Sequence, residues 1–497
     1  MVHRLSLRGI ASRLILLLSS MPVTSGAAVA EKPVEMDVVV VGGGFSGLMS
    51  GYELQQAGLK AVVLEAKDTI GGRSRSVKRK SGPGIIELGA TWINNHTQKE
   101  VYALTQKFGL DTAVQYLQGN SVVQGPDGKI IQVSLGGPNT DNPELQELEK
   151  VFFGLLITTE HDIDIRNFDK FPVDQDVSVT DWVAQKGLGG IEHVQGLTKR
   201  LVTSTVGREP EEVGAHYFLD YVKSGHGLIS LSTDDEKGAQ YLKVKQGTTA
   251  IATGLADAMT PGSVLVNSPV TSVKHTCDGA LVTTGKGKQF KAKRVIFAIP
   301  TNTYADIDIK PALPAEKQEL FSSAKPGVYA KLILSYREPW WRNAQLDGKF
   351  SSVNGPVCFS WDTSDPSLDQ YSLAVFVAAD AAARWHALPD KERRAAVVEH
   401  LAMLAGAVDS KLADKARDTL EINYVEWTKE SHIWGAPTNS MGPGMLRKYG
   451  ETLRRPVGVL HFGGGDTAYE WKGYLEGAVL AGSRAAEEVA SVLAGRG

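Results

Sequence analysis

The segment that decides the fold is Asp37–Arg73, which reads DVVVVGGGFSGLMSGYELQQAGLKAVVLEAKDTIGGR. Its four valines predict a buried strand, and the turn Gly42–Gly47 follows with the spacing G-x-G-x-x-G. A helix-length stretch and a second apolar strand come next. Glu65 lies 18 residues after Gly47, where a carboxylate can accept hydrogen bonds from a ribose 2′-hydroxyl. This order predicts a βαβ unit that binds a dinucleotide.

Each glycine of the turn has its own physical role in such a unit. Gly42 allows the sharp turn, Gly44 lets the backbone approach a pyrophosphate, and Gly47 lets the helix pack closely on the strand. The helix begins at Phe45 and Ser46, where free N–H groups and the positive end of the helix dipole are available to phosphates. A glycine turn alone is a weak indication, but the flanking strands, helix and carboxylate make it specific.

The bulk composition limits the classes of function. A chain of 497 residues is too long for one ordinary core, so we expect two domains or two intertwined ones. Hydrophobic and charged contents of 42% and 22% are typical of a soluble globular protein. A net charge of −3 argues against a nucleic-acid partner or an anionic membrane surface. Cys277 and Cys358 allow at most one bridge, whose presence the sequence leaves open, and no Cys/His cluster predicts a metal site.

Residues 1–30 have the pattern of a targeting segment. Arg4, Arg8 and Arg13 precede the apolar run Leu14–Leu18, and small residues follow as far as Ala30. This pattern predicts a secretory signal peptide, and hence a secreted protein or one of the secretory-pathway lumen. A mitochondrial presequence and a disordered extension are the alternatives. The apolar run is too short to span a bilayer, so we expect no transmembrane anchor.

Later segments carry further strand and helix patterns. Leu145, Leu148, Val151, Phe152 and Leu155 recur with helical spacing on one predicted face of a helix from Glu144 to about Thr159. The other predicted elements are a β-meander over Val264–Ile299 stopped by Pro300, a strand over Ala330–Tyr336, a helix over Asp390–Leu404, a strand over Gly458–Phe462 and a helix over about Tyr474–Leu493. Nucleotide-binding patterns therefore occur in separate pieces of the chain.

Four blocks, in this order, carry a family resemblance. They are Gly71–Arg73 after the opening unit, Glu87–Trp92 (ELGATW), Lys331–Trp341 (KLILSYREPWW), and Phe462–Thr467 (FGGGDT) with Trp471–Ala478 (WKGYLEGA). With them the chain resembles the flavin amine oxidases, and the monoamine oxidase family in particular, from residue 36 onward. The resemblance implies FAD as the cofactor.

The resemblance also implies the architecture. We expect an α/β fold in which a Rossmann-like FAD-binding domain is interleaved with an α+β substrate-binding domain. The expected FAD-binding domain is discontinuous and comprises residues 34–110, 243–312 and 425–497. Residues 111–242 and 313–424 would form the substrate-binding domain.

Particular residues take cofactor roles by this resemblance. Arg73 would neutralise the pyrophosphate, Val270 would meet the adenine, and Asp466 would hold the ribityl and phosphate region. The segment Ala90–Trp92 would border the flavin ring, and the helix that opens at Gly473–Leu475 would face the flavin N1/O2 edge. The full set of expected FAD-binding residues is Gly42, Gly44, Phe45, Ser46, Gly47, Glu65, Ala66, Gly72, Arg73, Gly89, Ala90, Thr91, Trp92, Val270, Trp427, Gly465, Asp466, Tyr474 and Leu475.

Three residues are the candidates for chemistry. Lys331 is a lysine among apolar strand neighbours, where a buried charge is costly unless it is used or paired. The resemblance implies that it reaches flavin N5 through a water and assists the reaction of reduced flavin with oxygen. Tyr474 resembles one wall of an aromatic cage that guides the neutral amine. Trp427 is expected to pack beside the flavin.

The chain also departs from the best-known family members. Ala436 stands where they have the cysteine that bonds FAD, so we expect FAD to be held non-covalently. Pro437 stands where they have the second cage tyrosine, so Trp434 supplies the second wall or the cage has one side. The expected substrate-contacting residues are Ile229, Gln240, Trp434 and Tyr474.

The function implied is an FAD-dependent amine oxidase. It would oxidise an amine to an imine, which hydrolyses to an aldehyde or ketone, while oxygen is reduced to hydrogen peroxide. An L-amino acid oxidase is disfavoured because Thr91–Gln98 contains no arginine for a substrate carboxylate. A biosynthetic flavin desaturase or a non-catalytic partner protein of the same fold remain alternatives. The sequence leaves open the type of amine, and a homodimer is among the allowed assemblies.

Overall fold

The computed structural model describes residues 32–495, and Pro33 begins the one compact unit within this range. The targeting segment expected over residues 1–30 lies outside the described residues. The α-helices are α1 Phe45–Gln56, α2 Lys99–Lys107, α3 Pro143–His161, α4 Val179–Gln185, α5 Glu192–Val206, α6 Ala215–Ser224, α7 Leu228–Ser232, α8 Thr249–Asp257, α9 Ala315–Ser323, α10 Trp340–Asn343, α11 Ala379–His386, α12 Asp390–Gly406, α13 Ser410–Arg417, α14 Met445–Tyr449 and α15 Leu475–Leu493.

The strands are mostly short. They are β1 Val34–Val41, β2 Ala61–Leu64, β3 Ser76–Lys78, β4 Ile85–Glu87, β5 Trp92–Ile93, β6 Thr112–Val114, β7 Asn120–Gln124, β8 Ile130–Val133, β9 Leu242–Val244, β10 Val264–Leu265, β11 Val270–His275, β12 Ala280–Thr284, β13 Gln289–Phe297, β14 Asp308–Lys310, β15 Lys325–Pro326, β16 Tyr329–Tyr336, β17 Leu346–Ser352, β18 Phe359–Asp362, β19 Tyr371–Ala378, β20 Glu421–Glu426, β21 Asn439–Ser440 and β22 Leu460–Phe462.

The opening strand lies inside an eight-stranded sheet. The strand order is β10-β2-β1-β13-β12-β11-β14, with β22 also paired to β13. Val38 and Val40 face a cluster that contains residues of α1 and α15, while Val39 and Val41 face the cluster on the other side. Because helices or loops cover both faces, all four valines are buried, as a run of consecutive apolar residues predicts.

Parallel pairing brings the loops of this sheet to one edge. β1 pairs in parallel with β2 and β13, and β13 pairs in parallel with β22. The glycine turn after β1, Glu65 after β2 and the glycine run after β22 therefore lie together at the carboxyl ends of their strands. This edge is where open α/β sheets bind ligands.

A second sheet supplies the other wall of the molecule. It has seven strands in the order β20-β16-β19-β18-β17-β7-β8, and β16, which carries Lys331, lies between antiparallel β19 and β20. Helices α10–α13 and this sheet share one apolar cluster. The α/β fold class expected from the sequence is confirmed, and the domain boundaries stay a prediction.

One helix face differs from its prediction. The helix expected over Glu144–Thr159 is α3, but its buried residues are Glu149, Phe152, Leu156 and Glu160. Val151, placed on the buried face by its spacing, is 56% exposed. The buried carboxylate of Glu149 accepts hydrogen bonds from Asn139 and contacts His193 at 2.7 Å. Leu148 and Leu155 of the predicted face do pack against the core, so the buried face is the predicted one except that it includes Glu149 and leaves Val151 exposed.

Candidate active site

A cavity of about 420 Å³ extends from the glycine turn to the second sheet. Most residues predicted from the sequence line it. They are Gly42, Gly44, Phe45, Ser46, Glu65, Ala66, Gly72, Arg73, Gly89, Ala90, Thr91, Trp92, Gln240, Val270, Lys331, Trp427, Gly465, Tyr474 and Leu475. Residues separated by several hundred positions thus meet around one space.

Four predicted residues lie outside the cavity wall. Gly47 is at the crossing of helix and strand, and Asp466 is behind the wall. Ile229 is 60% exposed and Trp434 is 43% exposed, so both side chains face solvent. Near each of the latter two, another residue lines the cavity instead: Leu231 for Ile229, and Ile433 for Trp434.

The glycine turn leaves an open cradle at Gly44. A Cβ atom at Gly47 would lie 1.9 Å from the carbonyl oxygen of Gly42, so helix and strand pack too closely there for any side chain. At Gly44 the nearest protein atom to such a Cβ is the Cα of Gly72, at 3.8 Å. Gly44 therefore has no steric conflict with the protein itself, and its backbone is open to a ligand in the cavity.

Two helices begin at this cavity. Gly44 occupies the N-cap position of α1, and Tyr474 occupies that of α15. Within the described residues, neither N-terminus has a hydrogen bond from its N–H groups to a capping side chain. Phe45 and Leu475, the first residues of the two helices, line the cavity. The uncapped N–H groups and the two positive dipole ends are suited to anionic groups, such as a pyrophosphate and a reduced flavin ring.

Glu65 is held rigidly at the end of β2. Its carboxylate accepts hydrogen bonds from the N–H groups of Gly43 at 2.6 Å and Lys67 at 2.8 Å. Burial raises the pKa of this carboxyl, and the two N–H donors oppose that rise. The carboxylate is thereby fixed in the cavity wall, where it can accept a hydrogen bond from a ribose hydroxyl.

Asp466 acts through other groups. Its carboxylate accepts hydrogen bonds from the N–H and hydroxyl of Thr301 and from Asn439 at 2.6 Å, and Nη2 of Arg73 lies 3.4 Å away. Arg73 itself donates to the carbonyl of Pro437 at 2.6 Å and lines the cavity. The arrangement places Asp466 as a support for the Arg73 guanidinium rather than in the cavity wall.

Lys331 is buried at the opposite end of the cavity. It is 2% exposed, and its Nζ donates to the carbonyl of Gly89 at 2.8 Å and to Thr91 Oγ1 at 2.5 Å. Burial lowers the pKa of the ammonium group, and the nearby carboxyl of Glu87 opposes that effect. Glu87 accepts hydrogen bonds from Ser76 at 2.6 Å and from the N–H of Thr248 at 2.9 Å. The lysine is thus held in a buried site by these partners.

Tyr474 and Trp427 are fixed by neighbouring groups. The Tyr474 ring packs edge-on against Trp471, with 5.3 Å between ring centroids. Gly473 has φ +78°, and a Cβ there would lie 2.3 Å from the hydroxyl of Tyr221, so this turn requires glycine. Trp427 donates from Nε1 to the carbonyl of Leu88 at 3.1 Å.

An aromatic cluster closes the cavity around Lys331, and the sequence predicted only Trp92 among its four members. It consists of Trp92, Phe359, Trp361 and Phe376, and its ring centroids lie between 4.7 and 6.4 Å apart. The lysine Nζ lies 5.3 Å from the Trp92 ring and 5.2 Å from that of Phe376. The alternation of Phe359 and Trp361, which places both on one face of a strand, was the available signal.

The charged residues of the cavity wall are unevenly placed. Its carboxylates are Glu65, beside the glycine turn, and Asp306, beside the β14 strand that pairs with β11. Lys67 and Arg73 lie near the same turn. Within the part of the chain described, Lys331 is the charged residue of the wall beside the aromatic cluster. The carboxylates nearest this end, Glu87 and Asp234, are buried behind the wall, and Asp234 is already engaged by Trp361 Nε1 at 3.0 Å and by Lys349.

Two absences apply to residues 32–495. No grouping of three His, Cys, Asp or Glu side chains there is suited to a metal ion. None of the described helices is both long and apolar enough to cross a membrane. Cys277 is exposed and Cys358 is buried, and both thiols are free.

Comparison with known proteins gives relatives that are named as amine oxidases. A flavin-containing monoamine oxidase by name, AofH of Mycobacterium tuberculosis, is 33% identical over 94% of this chain and 99% of its own length. The human flavin-containing amine oxidase B is 29% identical over 91% of this chain and 86% of its own. The solved structure of a putrescine oxidase with putrescine bound superposes with a TM-score of 0.84, at 26% identity, over 93% of this chain and all of the other.

The open cradle at Gly44, the two uncapped helix N-termini and the fixed carboxylate of Glu65 suit the pyrophosphate, flavin and ribose of FAD. The family model described as flavin containing amine oxidoreductase matches residues 45–490. The chain therefore belongs to the flavin-containing amine oxidoreductase family, with FAD as its non-covalently bound cofactor and amine oxidation as its activity.

Proposed function

We propose that this protein oxidises a monoamine with an apolar, preferably aromatic, body, with molecular oxygen as the electron acceptor. The observation that carries the proposal is the aromatic cluster around Lys331, beside which the described cavity wall has no carboxylate. In the overall reaction the amine loses two electrons and two protons to become an imine, while oxygen gains them as hydrogen peroxide. Water then hydrolyses the imine to an aldehyde or ketone and ammonia or an amine.

FAD, when bound, supplies the two-electron acceptor chemistry that no side chain of the protein can provide. The protein residues bind and orient the substrate, and they exclude water from the site. Aromatic rings at Trp92, Trp361 and Phe376 offer a flat apolar surface, which favours a hydrocarbon or aromatic substrate body. Because this end of the cavity lacks a carboxylate, a charged ammonium group would be desolvated there without compensation. The amine is therefore expected to enter the site in its neutral form.

Tyr474 is proposed to form one wall of the amine path. Its ring lines the cavity and is held by Trp471, and the adjoining turn is fixed by contact with Tyr221. The second wall expected from Trp434 is not supported, because that side chain faces solvent. The aromatic cluster of the second sheet is the alternative source of the opposing surface.

Lys331 is proposed to assist the reaction with oxygen. Its ammonium group is buried, donates to Gly89 and Thr91, and lines the same cavity as Tyr474. A fixed positive group in a low-dielectric site stabilises negative charge that develops beside it. Transfer of the first electron to oxygen creates such a charge, so this position suits the proposed role.

The side chain of Ala436 supports non-covalent binding of FAD. Ala436 lines the cavity, and its methyl side chain has no nucleophilic atom that could form a bond to a cofactor. A putrescine oxidase related in structure was redesigned for cofactor binding by exchanging an alanine for cysteine. In that protein the exchange of alanine for cysteine was thus made to alter cofactor binding.

Two other substrate classes fit the cavity less well. A diamine such as putrescine carries a second ammonium group, which needs a carboxylate at the aromatic end of the cavity. An α-amino acid carries a carboxylate, which needs a cation other than the already engaged Lys331. Asp234 and Lys349 lie behind the aromatic cluster but pair with each other, and among the described residues neither is part of the cavity wall. We therefore place monoamines first.

A peroxide assay on purified yellow protein tests this proposal. We expect benzylamine or phenethylamine to give peroxide with at least about tenfold higher kcat/KM than putrescine or L-phenylalanine, since a missing charge partner in a buried site costs over 1 kcal/mol. Peroxide from putrescine or from L-phenylalanine alone would overturn the substrate assignment. Peroxide from no amine or amino acid would overturn oxidase function itself.

A further inference from the structure

One segment of the cavity wall has little regular structure of its own. The segment Trp427–Pro437 contains only a short 3-10 helix, Trp427–Lys429, before the chain enters β21. Trp427, His432, Ile433 and Ala436 of this segment line the cavity. A bound cofactor that leaves the cavity on this side must therefore displace the segment.

Glu430 joins this segment to the loop that follows β2. The Arg75 guanidinium donates to its carboxylate through two parallel hydrogen bonds, Nη1 to Oε1 at 3.0 Å and Nη2 to Oε2 at 2.5 Å. Lys67 forms an ion pair with the same carboxylate. Such forked, charge-assisted pairs are stronger and more directional than single hydrogen bonds.

The two basic partners flank the cofactor-binding loop. Lys67 lies two residues after Glu65 and lines the cavity, while Arg75 lies two residues after Arg73. Arg75 also lies over the ring of Trp427, 5.1 Å from its centroid. One carboxylate thus connects both ends of the loop Lys67–Arg75 with the wall segment.

The Glu430 carboxylate remains charged across the usable pH range. The hydrogen bonds from Arg75, followed by those from Lys67, lower its pKa to about 2. Its side chain is 23% exposed, so dissolved salt can reach the pair and weaken it. The connection is therefore persistent but sensitive to ionic strength.

We propose that Glu430 is a latch that holds the segment Trp427–Pro437 closed over FAD and limits the rate at which the cofactor leaves. The inference rests on non-covalent binding of FAD, because Ala436 offers no atom for a covalent bond. In a protein with such a bond, retention would not depend on the closed segment. In this chain the ion pairs of Glu430 must break before the segment can move away from the loop Lys67–Arg75. Glu430 is a positioning residue in this account, because it acts through the wall segment.

The test is the rate of FAD release from the purified holoprotein of the Glu430→Gln variant. After dilution into buffer without FAD, the fluorescence of released cofactor gives the dissociation rate. We expect release about tenfold faster than from the wild type, which corresponds to about 1.4 kcal/mol. The matched control is Glu399→Gln, which removes the partner of Arg417 from another arginine–carboxylate pair outside the cavity. Its release rate should stay within about twofold of the wild type, since exposed pairs contribute little.

Salt provides a second measurement that does not depend on a variant. Raising the salt from about 0.05 to 0.5 M should speed FAD release from the wild type, because the partly exposed ion pairs of Glu430 are screened. Glu430→Gln should show a smaller salt effect than the wild type, since only the phosphate contacts remain to be screened. The salt effect on FAD release from Lys67→Met, which leaves Arg75 in place, should lie between those of the wild type and Glu430→Gln.

Release from Glu430→Gln at the wild-type rate would overturn the latch. If that variant does not fold, unchanged release from Lys67→Met, or wild-type release that does not respond to salt, would overturn it. The assay contains no amine and follows no turnover. Failure of the proposed substrate assignment would therefore leave these results unchanged, and failure of the latch would leave amine oxidation unchanged.

Discussion

Substitution of Gly44 by alanine gives a sharp test of the dinucleotide cradle. Gly44 has φ −73° and ψ 179°, a conformation that any L-residue adopts without strain. The added methyl group would have its nearest protein neighbour, Gly72 Cα, at the ordinary contact distance of 3.8 Å. The protein itself therefore has room for the methyl group, and any steric penalty must come from the cofactor.

The magnitude follows from opposing terms. Loss of glycine freedom in the unfolded chain stabilises the variant by about 0.4–1 kcal/mol. Alanine is a poorer helix N-cap than glycine, by a comparable amount of roughly 0.5–1 kcal/mol. The free energy of unfolding of the apoprotein should thus change by less than about 1 kcal/mol. Forcing a methyl group into the pyrophosphate contact costs about 1–3 kcal/mol, so the Kd for FAD should rise by roughly 5- to 150-fold.

Gly47→Ala is the matched contrast. Its methyl carbon would lie 1.9 Å from Gly42 O, whereas real Cβ atoms keep at least 3.0 Å, so the helix start must shift by more than 1 Å. This variant should destabilise even the apoprotein by several kcal/mol, on the order of 3 or more. Urea unfolding of the two apoproteins and titration with FAD measure both quantities. An unchanged FAD affinity in Gly44→Ala would refute the assignment of the cradle.

Three further predictions concern the rest of the protein. Lys331→Met should lower the free energy of unfolding by about 1–3 kcal/mol, because the carbonyl of Gly89 and the buried carboxyl of Glu87 lose their partner. Oxygen uptake by the amine-reduced enzyme should slow at least about tenfold, and unchanged oxygen uptake in stopped flow would contradict the role of Lys331. Trp361→Leu should raise KM for benzylamine by about 2- to 12-fold while kcat changes less, since ring contacts contribute about 0.5–1.5 kcal/mol. An unchanged KM would exclude the ring from substrate contact. Burial lowers the pKa of His400 from 6.5 to about 4, so the unfolded chain binds the proton first as pH falls. Wild-type stability should therefore decrease between pH 6.5 and 4, by up to about 3 kcal/mol, and His400→Asn should lose less over that interval in urea unfolding.

Local signals explain what the sequence could predict. Val38–Val41, the glycine turn and Glu65 follow one another along the chain, and their roles depend on neighbouring residues. The segments that begin α15 and carry Lys331 could likewise be placed, because glycine turns and an isolated strand lysine mark them. Parallel pairing at one sheet edge then brings these segments together.

Long-range packing explains what could not be predicted. Phe376 reaches Lys331 because β19 pairs with β16, and Trp361 joins them because β18 pairs with β19. Glu430 meets Arg75 across more than three hundred residues, with no local pattern that marks either as a partner. In irregular or very short segments, such as those of Ile229 and Trp434, side-chain direction is set by tertiary contacts rather than by periodicity.

The most direct test of the central claim is anaerobic reduction of the bound flavin by an amine. Yellow protein is mixed with benzylamine without oxygen, and the visible flavin absorption is followed before air is admitted. The account predicts complete bleaching by one equivalent of amine per bound FAD, and return of the colour with one equivalent of peroxide when oxygen enters. Protein that retains its FAD yet keeps its full absorption with every monoamine would contradict the account.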